Sequence, residues 1–336
     1  MRKMVTILLT ASMLLTGAGT ALAFPLDLNG DFRFQLRLID DKIGPNHTDD
    51  FDKNFTEFRA RLGFSGKIDA DTTFFGRFSV RNNEGLGEDV RSTAEFDHFG
   101  VKAKYDDWTF SIGRQPLTLG LGTQLDIGSD AAGANNFFDG VVAATKLGKA
   151  DIRLFGGKNT SNIAGLTKVQ NPLNVWYGLD VNVKPDSKVS FGLVYARQKP
   201  DPAGSDQVNR WAFNTVYNLT DKFTVSGEYA RSSLHGKNSG YIVAGSYALS
   251  PKSSLSLQYN HVQDNAVDSF NGGIGNGPYP LKGSDLPAGY KGYTLAYNQN
   301  ITKTLSFQII YMDLKSLTAG ATGNDQEIAA GLSWSF

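Results

Sequence analysis

The chain has 336 residues and no cysteine, with 33 basic and 33 acidic side chains that leave no formal net charge. The absence of cysteine excludes a disulfide scaffold and a thiolate metal site, and the balanced charge argues against nucleic acid as a partner. Glycine is frequent, with 37 residues, and proline is scarce, with 11. The length suits one large domain better than several small ones.

The first 23 residues have the pattern of a secretory signal peptide. Arg2 and Lys3 precede an apolar run that ends near Leu15, and small residues then lead to Ala23. The run is shorter than the roughly 20 residues that a helix needs to cross a bilayer, so we expect cleavage after Ala23. Nothing later in the sequence has the length of a transmembrane helix. A membrane protein without such helices must be a closed barrel, because every backbone N–H and C=O needs an internal partner in lipid.

From residue 24 onwards, apolar residues recur at every second position, which predicts strands with one apolar face. In the first segment the apolar face consists of Phe32, Phe34, Leu36 and Leu38. The opposite face of that segment consists of Asp31, Arg33, Gln35 and Arg37. Most segments have the roughly 9–11 residues of a transmembrane barrel strand, whereas strands of soluble sandwiches usually have about 5–6.

Sixteen segments follow this pattern: 28–39, 56–68, 72–82, 95–105, 108–115, 139–147, 150–158, 174–183, 187–197, 208–219, 223–232, 240–249, 253–262, 291–300, 304–313 and 325–336. The number is even, and the connections alternate between short and long, as in bacterial outer-membrane barrels. We therefore predict an all-β fold, a transmembrane antiparallel up-and-down β-barrel in which residues 24–336 form one domain and both termini face the periplasm. Over 94–115 and 139–158 the pattern does not determine which side chains face the lumen, because glycines there are typical of β-bulges.

Aromatic residues fall at both ends of successive segments, as expected for rings at the depth of the lipid headgroups. At the end with long loops these are Tyr177, Tyr195, Trp211, Tyr229, Tyr241, Tyr259, Tyr293 and Tyr311. At the end with short turns these are Phe74, Tyr105, Trp108, Tyr217, Phe223, Tyr247, Tyr297 and Trp334. The last segment ends on Phe336, which resembles the assembly signal of bacterial outer-membrane barrels and implies recognition by the barrel assembly machinery.

With these features the chain resembles bacterial general porins, the sixteen-stranded outer-membrane β-barrels of Gram-negative type, over the whole of residues 24–336. Residues 110–115, the glycine-rich loop after them and residues 136–141 are similar to the region around the constriction loop of porin families. The resemblance implies a water-filled channel in the bacterial outer membrane, among lipid and lipopolysaccharide, for passive diffusion of ions and small hydrophilic solutes, without a cofactor or a metal. It also implies a homotrimer, for which the chain offers an apolar outward face of Phe32, Phe34, Phe58, Leu62, Phe64, Phe74 and Phe78.

Charged residues indicate how such a channel would be narrowed. In porins the third external loop folds into the barrel, and here that loop, 116–138, is rich in small residues and contains Asp126 and Asp130 but no basic residue. Six arginines of the first three segments have lumen parity: Arg33, Arg37, Arg59, Arg61, Arg77 and Arg81. An arginine facing lipid would cost about 2–4 kcal/mol at the membrane midplane.

We therefore expect an eyelet, a narrow opening in which Arg59, Arg61, Arg77 and Arg81 face the two aspartates of the loop, and a weak preference for anions. Two alternatives stay open. The arginines can be neutralised by wall carboxylates such as Asp31 and Glu57, and the loop can remain outside the barrel.

Other functions have less support in the sequence. An enzyme is not expected, because a hydrolase needs a nucleophile with a base. The sequence shows neither such an arrangement nor the spacing of metal ligands around its four histidines, which are His47, His98, His235 and His261. A sugar channel would need an aromatic track, but few aromatics have lumen parity, namely Phe75, Phe96, Phe155 and Trp176. A channel specific for anions such as phosphate stays open because of the six arginines. A structural envelope barrel is weakened because no peptidoglycan-binding domain precedes the first segment.

Overall fold

The alternating segments form strands because side chains two residues apart share a face, so each segment can turn an apolar face outward and a polar face inward. The computed structural model describes residues 25–43, 49–85, 91–122, 125–127, 136–161, 175–199, 207–267, 289–317 and 323–336. Their strands are β1 Leu26–Ile43, β2 Asp49–Lys67, β3 Thr72–Gly85, β4 Arg91–Tyr105, β5 Trp108–Gln115, β6 Leu117–Leu119, β7 Leu125–Ile127, β8 Asn136–Leu147, β9 Ala150–Ser161, β10 Val175–Val183, β11 Val189–Lys199, β12 Val208–Asn218, β13 Phe223–Ser232, β14 Ser239–Ser250, β15 Ser253–Val262, β16 Tyr290–Asn300, β17 Leu305–Ser316 and β18 Gly323–Ser335. The predicted signal peptide, residues 1–23, lies outside the described residues. Within the described ranges no helix is long and apolar enough to cross a membrane.

All strands except β6 and β7 join one closed antiparallel ring, which confirms the predicted barrel of sixteen strands. The ring closes where β1 pairs with β18, from Asp31 opposite Ser335 to Ile43 opposite Gly323. Gly30 and Phe336 extend this pairing by exchanging two backbone hydrogen bonds of 3.1 and 3.0 Å. A Cβ on Gly30 would lie 2.5 Å from Cζ of Phe336, so only glycine leaves room for the terminal ring. Closure gives every strand of the ring a hydrogen-bonded neighbour on each side.

The two ends of the barrel differ. Both Leu26 and Phe336 lie at the end that carries the short turns, which we call the turn end, and the longer connections lie at the opposite loop end. The turns fall where the sequence predicts them, at 68–71, 106–107, 148–149, 184–188, 219–222, 251–252 and 301–304. In two of them an aspartate caps the turn. Asp69 accepts hydrogen bonds from the backbone N–H groups of Asp71 and Thr72, and Asp186 accepts them from Lys188 and Val189.

The outward face changes character around the ring. From β10 to β17 the loop-end aromatics named above lie outward, and neighbouring rings contact each other. The ring centroids of Tyr259 and Tyr293 are 4.9 Å apart, and those of Tyr195 and Trp211 are 6.1 Å apart. On β1 to β4 the outward rings are phenylalanines, in the pairs Phe32–Phe58, Phe64–Phe74, Phe64–Phe96 and Phe78–Phe96. The tyrosine and tryptophan contacts at the loop end therefore lie on β10 to β17, whereas the outward ring contacts on β1 to β4 are between phenylalanines.

A bulge settles which way the side chains of β4 point. The register between β3 and β4 shifts between Arg77, opposite His98, and Phe78, opposite Phe96, so that Asp97 is the extra residue. Phe96 therefore lies on the outer surface, with 53% of its area exposed, while Asp97 is buried on the inner side. The expectation that Phe96 has lumen parity is wrong, because the sequence pattern does not reveal the extra residue.

Four glycines lie side by side across β4, β5, β8 and β9: Gly100, Gly113, Gly140 and Gly157. A Cβ on Gly113 would lie 2.3 Å from the carbonyl oxygen of Phe99, and a Cβ on Gly157 would lie 2.5 Å from that of Asp139. Gly113 also has φ +130°, a conformation that side chains rarely allow. The strands approach each other closely here, and glycine is required for that approach.

Candidate functional site in the barrel lumen

The six arginines predicted for the lumen lie on neighbouring strands and point inward, because Phe34, Leu36 and Leu38 occupy the outward positions of the same pattern. We call these six side chains the arginine wall. Arg33 and Arg37 lie on β1, and the other four lie in pairs on β2 and β3. Their side chains are 10–21% exposed, so they are mostly covered but not sealed from the lumen.

Two carboxylates of the arginine wall are each shared by two arginines. Asp31 accepts a hydrogen bond from Arg59 at 3.0 Å and another from Nε of Arg61 at 2.7 Å. Glu57, which is fully buried, pairs with Arg33 and Arg81. Each trio of two guanidinium groups and one carboxylate has a formal charge of +1. Asp31 and Glu57 thus pair with four of the six arginines, as the alternative of neutralisation by wall carboxylates expects.

The remaining two arginines have carboxylate partners of their own. Arg77 donates to both oxygens of Asp97, at 2.8 and 2.7 Å, and also lies 3.0 Å from Nε2 of His98. Arg37 pairs with Glu327 on β18 across the seam of the barrel. Among the described ion pairs, four carboxylates contact the six arginines, which is an excess of two positive charges within these contacts. Asp97 was not among the expected site residues, because the bulge hides its facing.

The start of the third loop lies against the inner wall. We call residues 117–122 the inward segment. Leu117 and Leu119 are buried in a cluster whose other members lie on β8 to β12, namely Phe138, Phe155, Trp176, Val194, Ala196 and Ala212. Burial of this apolar area holds the segment against the wall. Because Phe155 and Trp176 are covered by the cluster, neither is accessible to a solute.

Polar contacts continue the attachment of the inward segment. Arg153 donates to the carbonyl oxygen of Thr118 at 2.7 Å, and the N–H of Leu121 donates to Glu228 at 2.6 Å. Gly120 has φ +58°, and a Cβ there would lie 2.3 Å from Glu228. Its N–H donates to Asp180 at 3.3 Å. Glu228 lies on β13, and eight steps of the sixteen in the ring separate β13 from β3. The inward segment therefore ends on the side opposite the arginine wall.

The two aspartates predicted for the third loop are only partly described. Asp126 lies in β7, which pairs with β6 so that Asp126 is opposite Thr118. Asp130 lies outside the described residues. That these two side chains face the arginine wall stays a prediction.

Known proteins resemble this chain in structure rather than in sequence. No protein-family model matches it, and no curated protein matches it. A solved structure of a double mutant of Rh. blastica porin is 13% identical, with a TM-score of 0.59 over 93% of this chain and 100% of that chain. A triple mutant of Rhodopseudomonas blastica porin is 12% identical, with a TM-score of 0.58 over the same shares. The chain has a porin fold.

Within this porin fold a second connection enters the lumen, which the sequence did not predict. We call residues 263–267, which follow β15, the second inward segment. Ala266 and Val267 are buried in a cluster with residues of β13 and β15 to β18, among them Val262, Tyr290, Met312 and Leu314. These side chains occupy positions that face the lumen, yet they are apolar. Apolar residues at lumen-facing positions are the sequence signal that could have shown that a chain segment packs over them.

Hydrogen bonds hold the second inward segment to β12 and β13. Ser232 donates to the carbonyl oxygen of Asn265 at 2.5 Å, and Arg210 donates to that of Ala266 at 3.3 Å. The guanidinium of Arg210 also lies 5.9 Å from the ring centroid of Trp176 in the first cluster. Arg210 therefore contacts both apolar clusters. The two apolar clusters cover parts of the inner wall on β8 to β13 and on β15 to β18, whereas the arginine wall lies on β1 to β3.

Proposed function

We propose that the chain is a bacterial outer-membrane porin, a channel through which ions and small hydrophilic solutes diffuse passively. A membrane location is supported by the outward face, where apolar side chains such as Leu193, Phe213 and Leu257 are each 51% exposed. Charged and polar residues turn inward instead, as in transmembrane barrels with a polar lumen. The known structures that resemble the chain are porins, which favours a channel over an enzyme.

One observation supports this proposal most strongly, namely that an inward segment and an arginine wall occupy opposite sides of the same lumen. We infer that residues 116–138 narrow the channel and that water fills the space between loop and arginines. Facing charges across a narrow aqueous gap would orient dipolar solutes and set ion selectivity. The positive excess of the wall predicts a weak preference for anions.

The remaining expectations extend this proposal. We propose that residues 1–23 are removed on export, that the turn end and both termini face the periplasm, and that lipopolysaccharide surrounds the loop end. Phe336 is exposed next to Phe32, at a ring centroid distance of 5.9 Å, where assembly machinery could reach it. The phenylalanine contacts on β1 to β4 support a homotrimer built on that face, since large apolar interfaces typically join obligate subunits.

The test is a planar-bilayer measurement on the mature protein. We expect large ohmic steps and a reversal potential that favours anions, well below the roughly 59 mV that limits a perfectly selective pore in a tenfold salt gradient. Replacing Arg59, Arg61, Arg77 and Arg81 with glutamine should move the reversal potential towards cation preference. The control removes four charges from the exposed turns, at Lys184, Lys188, Lys222 and Lys252. Equal effects of the two quadruple variants, or none, would contradict the role of the arginine wall.

A second candidate, a channel specific for anions such as phosphate, is favoured by the sharing of Asp31 and Glu57 between two arginines each. The same measurement separates the candidates. Small conductance with strong anion selectivity and saturation by one anion would indicate the specific channel. A sugar channel has less support, because Phe155 and Trp176 are covered and Phe96 lies outside. Folded barrels without any conductance would instead indicate a structural role.

A further inference from the structure

A cavity of about 500 Å³ opens at the turn end of the lumen, between β1 to β3 on one side and the β16–β17 turn, β17 and β18 on the other. Four basic side chains line it: Arg59, Arg61, Arg77 and Lys303. Asp31 is the one acidic side chain among the described residues that line it, and Phe336, whose terminal carboxylate adds a second negative charge, lines it as well. The cavity includes part of the arginine wall but not Arg33, Arg37 or Arg81.

The charges of this cavity favour an anion. Asp31 is shared between Arg59 and Arg61, so this trio presents a formal charge of +1. Arg77 is paired with Asp97, which does not line the cavity. Lys303 extends from an exposed turn and adds a further positive charge at the rim. Guanidinium groups bind carboxylate and phosphate oxygens through charge-assisted N–H donors, so an oxyanion is the class of ligand that this lining favours.

The size of the cavity argues for an organic ligand rather than a bare ion. Sites for small molecules typically measure about 300–1,000 Å³, whereas one water molecule takes about 30 Å³. Amide and hydroxyl groups complete the lining, among them Asn29, Asn300 and Ser306, and these can bond to hydroxyl groups of a metabolite.

We propose that this cavity binds small organic molecules that carry two or more oxyanion charges, such as polycarboxylates or phosphate esters. The inference rests on the proposed function, since it assigns a preferred class of solute to the channel. Because the cavity lies at the turn end, such anions reach it more readily from that side than through the constriction.

The test is conductance block by citrate and by glucose 6-phosphate, added to one side of the bilayer at constant ionic strength. We expect saturable block at lower concentration from the turn end. Arg61→Gln should raise the half-blocking concentration about tenfold, because it removes charge-assisted hydrogen bonds. Lys303→Gln, which lies on an exposed turn away from the packed wall, should raise it by a smaller factor.

The matched control is Arg33→Gln. It removes one positive charge, as Arg61→Gln does, but Arg33 is a partner of Glu57, the other shared carboxylate, and lies outside the cavity. It should change the reversal potential while the half-blocking concentration stays within about twofold, which is less than 0.5 kcal/mol. Equal effects of the two arginine variants, or equal block from both sides, would overturn the inference in favour of a general effect of lumen charge. The anion that blocks at lower concentration identifies the class, either carboxylate or phosphate ester.

Calorimetric titration of the folded barrel in detergent with the same two anions separates this inference from the proposed function. Saturable binding that Arg61→Gln weakens, in a barrel that does not conduct, would support the cavity and contradict the channel. Ohmic conduction without binding or block would support the channel and contradict the cavity. Arg61→Lys retains the charge, so a folded Arg61→Lys barrel with weakened binding would show that the guanidinium geometry matters.

Discussion

The two halves of the barrel wall have the same alternation of outward and inward residues, but they place different kinds of side chain on each face. On β1 to β4 the outward face is built from phenylalanines and the inward face from arginines with shared carboxylates. On β9 to β17 the outward face has tyrosines at the loop end, and much of the inward face is apolar and covered by the two inward segments. Both halves are equally regular as strands.

The difference shows that a lumen position does not by itself require a polar residue. Met312 and Leu314 have lumen parity but are buried, because a chain segment covers them. Arg59 and Arg61 also have lumen parity, on β2, and line an open cavity. Whether an inward side chain is polar therefore depends on what packs over it, and the exposed side of the lumen is the side that can select solutes.

The prediction with the largest expected effect concerns the inward segment, which packs against the apolar cluster on β8 to β12. The test is to weaken that packing. Leu119 is fully buried, and Leu119→Ala should weaken docking of the segment by about 2–5 kcal/mol. At about 1.4 kcal/mol for each factor of ten, this shifts the equilibrium towards the undocked state by about one and a half to three and a half orders of magnitude. We expect a larger and noisier single-channel conductance, with little change in the thermal unfolding of the barrel.

The control for this prediction is Leu193→Ala. Leu193 precedes the buried Val194 in β11 but points outward, so its truncation should leave the conductance at the wild-type value. An unchanged conductance in folded Leu119→Ala as well would mean that the inward segment does not narrow the channel.

A second test concerns the outward faces. If the phenylalanine face joins subunits, the double variant Phe64→Ala and Phe78→Ala should shift trimers towards monomers, since truncating buried interface aromatics costs about 2 kcal/mol or more each. Native mass spectrometry of detergent-solubilised protein would report the change. The matched double variant Phe191→Ala and Phe213→Ala removes a stacked pair, 6.5 Å between ring centroids, from the opposite half. Loss of trimers in both variants, or in neither, would remove the proposed interface.

Alternation predicted the strands and the ring, because each strand repeats one local rule along its length. It also predicts that all six arginines face inward, since an arginine on the lipid face is costly. The ends of the strands were predicted less well. β1 extends to Ile43 rather than 39, and β2 begins at Asp49 rather than 56, because pairing between the two strands continues where the apolar pattern has ended.

Features that depend on contacts between distant residues were not predictable. The extra residue Asp97 changes the facing of β4 without any local sign in the alternation. The carboxylate of Glu228 was missed because its role comes from Leu121, which is 107 residues away in the chain. Glu228 is the one carboxylate of β13 and has lumen parity, which is the signal that could have identified it.

The prediction with the smallest expected effect concerns the short turns at the turn end, where the two halves of the wall should behave alike. Two backbone N–H groups donate to Asp69 on one half and to Asp186 on the other, and these hydrogen bonds lower the pKa of each carboxyl below its ordinary value of 3.8. Because the folded pKa is the lower one, the stabilisation is present above pH 3.8 and is lost as pH falls through the folded pKa. Asp69→Ala and Asp186→Ala should therefore lower the guanidinium midpoint slightly at pH 7, and the difference from the wild type should shrink in strong acid, where the protonated carboxyl keeps only a neutral acceptor oxygen. Asp→Asn variants should retain part of the effect at both pH values, since the amide oxygen still accepts hydrogen bonds. If the two turns gave different pH profiles, the asymmetry of the barrel would extend beyond its lumen and outward face to the turns that connect its strands.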